Sequence, residues 1–103
     1  MKMKMTRKEA RNYLDRLNNV KLGDSVLFNA VVFFYDQLTH QTVCREILST
    51  DDFEVRRWAA TVRDEYIKLD FTFALYIDGR IFETHNGSVI DSLDLFSDEE
   101  EDK

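Results

Sequence analysis

One cysteine, two histidines and twenty carboxylates are the groups from which this 103-residue chain would have to build a reaction or a metal site. A nucleophilic mechanism needs Cys44 or a serine held by a base and an orienting group. Cys44 falls in the apolar–polar alternation of QTVCREIL, the setting of a small buried hydrophobe rather than a reactive thiol. His40 falls at an expected turn and His85 just past an expected hairpin arm, and no Cys/His/Asp spacing joins them into a metal signature. Paired carboxylates for acid–base work leave no mark in linear sequence. All three glycines sit in turn sequences, so no phosphate-cradling loop is present. The sequence predicts no enzyme, no cofactor and no metal ligand, and turns attention to binding.

Charge is distributed unevenly. Residues 1–21 carry a net +5, residues 22–90 a net −5, and residues 91–103 a net −6, equal to the formal charge of the whole chain. An acidic protein resists nonspecific contact with nucleic acid. The basic N-terminal stretch (Lys2, Lys4, Arg7, Lys8, Arg11) is a local exception, but it lacks interleaved aromatics and reads as a solvated or protein-contacting face. It would also attract the chain's own acidic end at low salt. A second acidic grouping, Asp51, Asp52, Glu54, Asp64 and Glu65, is expected to band the second helix, interrupted by arginines. Carboxylates spaced over a folded surface can imitate DNA phosphates. The alternative expectation is therefore a DNA-mimic inhibitor of a nucleic-acid-binding or defence protein, of the kind that phages and mobile elements encode.

The end of the chain, SLDLFSDEEEDK, holds the one short motif with a recognisable binding chemistry. Leu93, Leu95 and Phe96 precede the acids Asp98, Glu99, Glu100, Glu101 and Asp102. Ser92-Leu93-Asp94-Leu95-Phe96 resembles the linear motif by which bacterial replication and repair proteins bind the sliding clamp, typically Gln-Leu-Ser/Asp-Leu-Phe. The resemblance covers five residues and departs at Ser92, where glutamine is preferred. It implies Leu95 and Phe96 as anchors in apolar pockets, with Leu93 secondary. The acids behind them would steer the segment toward a basic partner. The opposing expectation is that the apolar triplet closes over the sheet, since burying a Leu or Phe is worth roughly 1.5–3 kcal/mol. The functional expectation is a small regulator or inhibitor that binds another protein, with a nucleic-acid-processing or defence protein as the loosest identification.

The elements that must position these groups read as one α+β domain over residues 1–90 and an acidic tail over 91–103. Thr6-Arg7-Lys8-Glu9 has capping-box spacing, and Ala10, Tyr13, Leu14 and Leu17 follow at helical steps. SVLFNAVVFFYD is expected as a strand paired with QTVCREIL, with a bulge or partly helical beginning near Asn29 and a buried helix as the alternative. The apolar run around Phe33 and Phe34 is also a candidate homodimer interface. Asp51 and Glu54 repeat the capping-box spacing before a helix whose stripe is Val55, Trp58, Ala59, Val62 and Tyr66. Asp78-Gly79 suits a type I′ turn between FTFALYI and RIFETH, pairing Leu75 with Phe82 and Tyr76 with Ile81. Asn86-Gly87 then turns toward a short strand at Ser88-Val89-Ile90. The order α-β-β-α-β-β implies a mainly antiparallel sheet of two hairpins with both helices on one face. No apolar run is long enough for a membrane span, MKMKM is not followed by a secretory core, and one cysteine suits a reducing, cytoplasmic setting.

Overall fold

A computed structural model describes residues 5–86 and Phe96 of this chain. Helix α1 (Arg7–Leu17) begins at the expected capping box: the Glu9 amide donates to Thr6 Oγ1 at 3.1 Å, and the Thr6 amide donates to Glu9 Oε1 at 2.9 Å. A short hairpin follows, β1 (Lys21–Leu22) and β2 (Ser25–Val26), turning at Gly23. Then come β3 (Phe28–Asp36), β4 (Gln41–Ser49), α2 (Asp52–Lys68), β5 (Phe73–Ile77) and β6 (Arg80–His85). The four long strands form one antiparallel sheet in the order β4-β3-β5-β6. The class is α+β.

The strand reading of residues 25–36 holds from Phe28 onward. Ser25 and Val26 instead fold back on Lys21 and Leu22, and Asn29 pairs in register with Leu48, without a bulge or a helical turn. The irregularity lies elsewhere. Between Leu75 and Tyr76 the register shifts, so Tyr76 faces Ile81 as expected while Leu75 faces Glu83 rather than Phe82. A bulge of this kind places two residues of one strand against one of its partner and increases the local twist.

The helices cover opposite faces of the sheet, which corrects the expectation that both lie on one. Val31 and Phe33 of β3, with Ala74 and Tyr76 of β5, pack against Ala10, Leu14 and Leu17 of α1. Their alternating neighbours Ala30, Val32, Phe73, Leu75 and Ile77 pack against Val55, Ala59, Val62 and Tyr66 of α2, with Trp58 and Phe71 partly buried at the margin. The physical reason is visible in Ala30-Val31-Val32-Phe33 and in Phe73–Ile77, which are apolar at every position. Side chains alternate between faces, so a continuous apolar strand has two faces to cover.

Phe33 is the hub of the α1 side. Tyr13, Tyr76 and Phe96 meet its ring edge-on at 6.1, 5.9 and 5.3 Å between centroids. Phe96 is fully buried there. The core of the domain thus includes a residue from the segment assigned by sequence to a tail; the other residues of 91–103, and the strand expected at 88–90, lie outside the described residues.

A polar knot joins three elements at the opposite end of the strands from the β3–β4 turn. Asn29, buried in β3, receives on its backbone oxygen the Asp78 amide at 2.9 Å and donates its own amide to Asp78 Oδ1 at 3.0 Å. Its Nδ2 donates to Oδ1 of Asn18, the C-cap of α1, at 2.7 Å. Asp78 and Gly79 have φ of 51° and 81°, as a type I′ turn requires. Gly79 is needed twice over, because a Cβ there would stand 2.2 Å from Nδ2 of Asn18. Gly79→Ala is expected to cost about 1–3 kcal/mol, from the positive φ and from displacing Asn18 off Asn29. Urea denaturation would show this as a lowered midpoint at unchanged slope.

Candidate functional site

The residues singled out from sequence fall in separate parts of the fold. Phe96 is buried against Phe33, while Leu93, Leu95, Asp98, Glu99, Glu100 and Glu101 lie outside the described residues. A partner pocket would therefore have to draw Phe96 out of this chain's own core. Phe96 has internal surroundings, the ring of Phe33 among them.

The acidic band around α2 is partly consumed by local bonds. Asp51 is the N-cap, accepting the Phe53 amide at 3.0 Å. Asp52 pairs with Arg56 one turn on at 3.1 Å, and Asp64 pairs with Arg63 at 3.0 Å. Glu54 takes the hydroxyl of Ser49 instead of closing a reciprocal box with Asp51. These acids do not stand as a row of unpaired charges. Arginine is as prominent as carboxylate here: Arg57 lies over Phe53, Arg63 over Phe82 and Arg45 over Trp58, with guanidinium-to-centroid distances of 5.7, 5.5 and 5.9 Å. On the other face of the sheet, Lys8, Arg11 and Arg16 are exposed on α1, with Arg16 over the Tyr13 ring at 5.3 Å.

Cys44 is half-buried on the α1 side, and burial pushes its thiol above the ordinary range. Its neutral form is thereby favoured, which is the behaviour of a packing residue. Among the described residues no group of three His, Cys, Asp or Glu side chains is placed to hold a metal ion, and no helix is long and apolar enough to cross a membrane.

A concave feature among the described residues lies where β3 ends and α2 gives way to β5, and nothing in the sequence pointed to it. A cleft of about 380 Å3 is lined by Phe34 to Leu38 and by Leu69, Asp70 and Phe71. One wall is the stacked pair Phe34 and Phe71, 5.7 Å between centroids and 9° from parallel. Leu38 at the β3–β4 turn is 93% exposed, and Leu69 is 55% exposed. The turn that presents Leu38 is held by Asp36, whose Oδ1 accepts the Leu38 amide at 2.9 Å.

Asp70 is set at this site by the way α2 stops. The Phe71 amide donates to the Tyr66 oxygen at 2.9 Å and the Asp70 amide to the Ile67 oxygen at 3.0 Å, with φ of 58° at Asp70 and the Phe71 and Tyr66 rings in contact. This is a Schellman ending with aspartate where glycine is usual. The aspartate carboxylate meets Nε2 of His85 at 2.9 Å, and Asn86 Nδ2 donates to it at 3.5 Å. His85 itself stacks on the buried Phe73 ring. The sequence signal was Leu69-Asp70-Phe71 directly after an apolar stripe, a helix stop without glycine or proline. The partner His85, fifteen residues on, gave no local sign.

A scan against protein-family models matches none, and no curated protein or solved structure matches the chain. The class is set by the fold alone: an antiparallel four-stranded sheet covered by one helix on each face.

The His85 bond, followed by the Asn86 bond, holds the Asp70 carboxyl below its ordinary value of 3.8. A carboxyl depressed by folding adds stability above its unfolded pKa and loses it as pH falls through the lower, folded value. In urea titrations from pH 6 to 2, Asp70→Asn is expected to be less stable than the unaltered protein at neutral pH and to converge with it below about pH 4, so that the acid limb of its stability curve is flatter. An acid limb identical to that of the unaltered protein would show that the bond carries no folding linkage.

Proposed function

We propose that this chain is a small binding protein that regulates or inhibits another macromolecule, with its acidic C-terminal segment as the principal contact. The observation that supports this reading is the burial of Phe96 against Phe33, which ties the segment to the folded domain. The acids Asp98 to Asp102 follow two residues later in the chain. A run of like charge joined to a rigid body steers encounter with a basic surface, and it does so without loss of the protein's own core.

In this reading Phe96 pins the segment, and Leu93, Leu95 and the acids make the contact. The clamp-type alternative requires Phe96 in the partner's pocket. Removing it from the core forfeits burial worth about 1.5–3 kcal/mol and leaves a void beside Phe33. The same burial therefore opposes that alternative. The DNA-mimic alternative draws less support from α2, where Asp52 and Asp64 are engaged by arginines. A partner with a basic, partly apolar surface, such as a nucleic-acid-processing or defence protein, fits the charge.

Affinity capture from the native host tests the proposal with three forms of the protein. Removal of residues 97–103, after Phe96, is expected to abolish capture of the partner while leaving the urea midpoint unchanged. Reversal of Asp51, Asp52 and Glu54 to lysine should leave capture largely intact; if it costs more than the truncation, the mimic reading replaces this one. Phe96→Ala is expected to destabilise the fold by about 3–5 kcal/mol, the usual cost of a large-to-small change in a core. A stable Phe96→Ala protein that still folds at the unaltered midpoint would remove the pin from the proposal.

A further inference from the structure

We propose that the cleft between the β3–β4 turn and the end of α2 seats an arginine side chain from a basic, partly apolar segment of a protein partner. The site is formed by residues 34–38 and 69–71 and takes nothing from the acidic tail. It is a second surface of the same protein, and its existence does not rest on the tail being a contact.

Three properties select the ligand. The first is charge. Asp36 and Asp70 are the only charged side chains among the eight that line the cleft. Asp36 spends one oxygen on the Leu38 amide and makes no ion pair among the described residues, while Asp70 spends Oδ1 on His85 and Asn86 and has Oδ2 for a ligand. The end of α2 here is the negative end of its dipole. An anionic ligand is repelled, and a neutral apolar one would strip water from two carboxylates without replacement.

The second property is the wall. Phe34 and Phe71, stacked on each other and both lining the cleft, make one wall aromatic, and a planar guanidinium packs on aromatic carbon better than a compact, strongly hydrated ammonium. A guanidinium set there keeps N–H donors for the carboxylates at the rim.

The third is size and lining. A volume of about 380 Å3 suits one long side chain with part of its neighbour rather than a large cofactor. Leu38 and Leu69, both well exposed, offer apolar contact to the arginine stem or to an adjoining aliphatic residue. The exposure of Leu38 at a turn tip, where a polar residue would be at no disadvantage, is accounted for by such a contact.

The test uses the intact, isotopically labelled chain and two peptides, acetyl-Gly-Leu-Arg-Leu-Gly-amide and the same peptide with citrulline for arginine. Amide shifts on addition of the arginine peptide are expected to concentrate at Phe34 to Leu38 and Leu69 to Phe71, and to weaken with added salt. The citrulline peptide should bind at least fivefold more weakly, as should the arginine peptide to the Asp36→Asn, Asp70→Asn double variant. Asparagine keeps one carbonyl acceptor at each position, enough for the Leu38 amide and for His85, and tolerates the positive φ at position 70, so the variant removes charge with little change in structure. Leu38→Ser, at an exposed position, supplies a second variant whose fold is not at risk, and it too should weaken binding. Equal binding of the two peptides, unchanged affinity in both variants, or shifts confined to residues 91–103 would overturn the proposal. A tail contact would survive those results, because truncation after Phe96 addresses it separately.

Discussion

Everything in this fold answers to one constraint: β3 is apolar on both of its faces and hydrogen-bonded on both of its edges. Such a strand is stable only at the centre of a sheet that is itself covered on both sides. β4 and β5 supply the edges, and α2 supplies one cover. The other cover is α1, a helix of 11 residues, and its cluster also takes in Phe96. Phe33, edge-on to Tyr13, Tyr76 and Phe96, is where that requirement is most concentrated.

The ends of the strands are organised by different chemistry. At one end, buried Asn29 holds the Asp78-Gly79 turn through its backbone amide and carbonyl, and the C-cap of α1 through a side-chain amide that an apolar residue could not supply. A buried amide is costly unless partnered, so it specifies one arrangement of helix, strand and turn. At the other end, aromatic rings and carboxylates stand together around an open cleft. The knot is internal and structural, with Oδ1 of Asn29 left without a hydrogen-bond partner among the described residues, whereas the cleft leaves apolar and charged groups facing solvent. That asymmetry is why the cleft, and not the knot, carries a binding inference.

Much of the local structure was legible in the residues. The capping box at Thr6 and Glu9, the stripe of α2 and the Asp78-Gly79 turn are each governed by contacts within a few positions of one another, and each stands as expected. The Trp58-side packing of Phe71, Phe73, Leu75 and Ile77 was legible too, because alternation assigns those residues to one face. The two-sided covering was present in Ala30–Phe33 as an unbroken apolar run, but such a run does not say which helix takes which face. The bulge at Leu75 and Tyr76 has no local marker at all.

The sequence by itself determined the two helices, the four long strands, the Thr6 capping box, the Asp78-Gly79 turn and the uneven charge, because those depend on spacing and on residue chemistry along the chain. Only the tertiary structure decided that the helices lie on opposite faces, that Phe96 fills the space beside Phe33, and that Asp36 and Asp70 share a cleft. Those outcomes depend on which distant surfaces meet when both faces of β3 are covered. Thirty-four positions separate Asp36 from Asp70, and no periodicity in the chain links them.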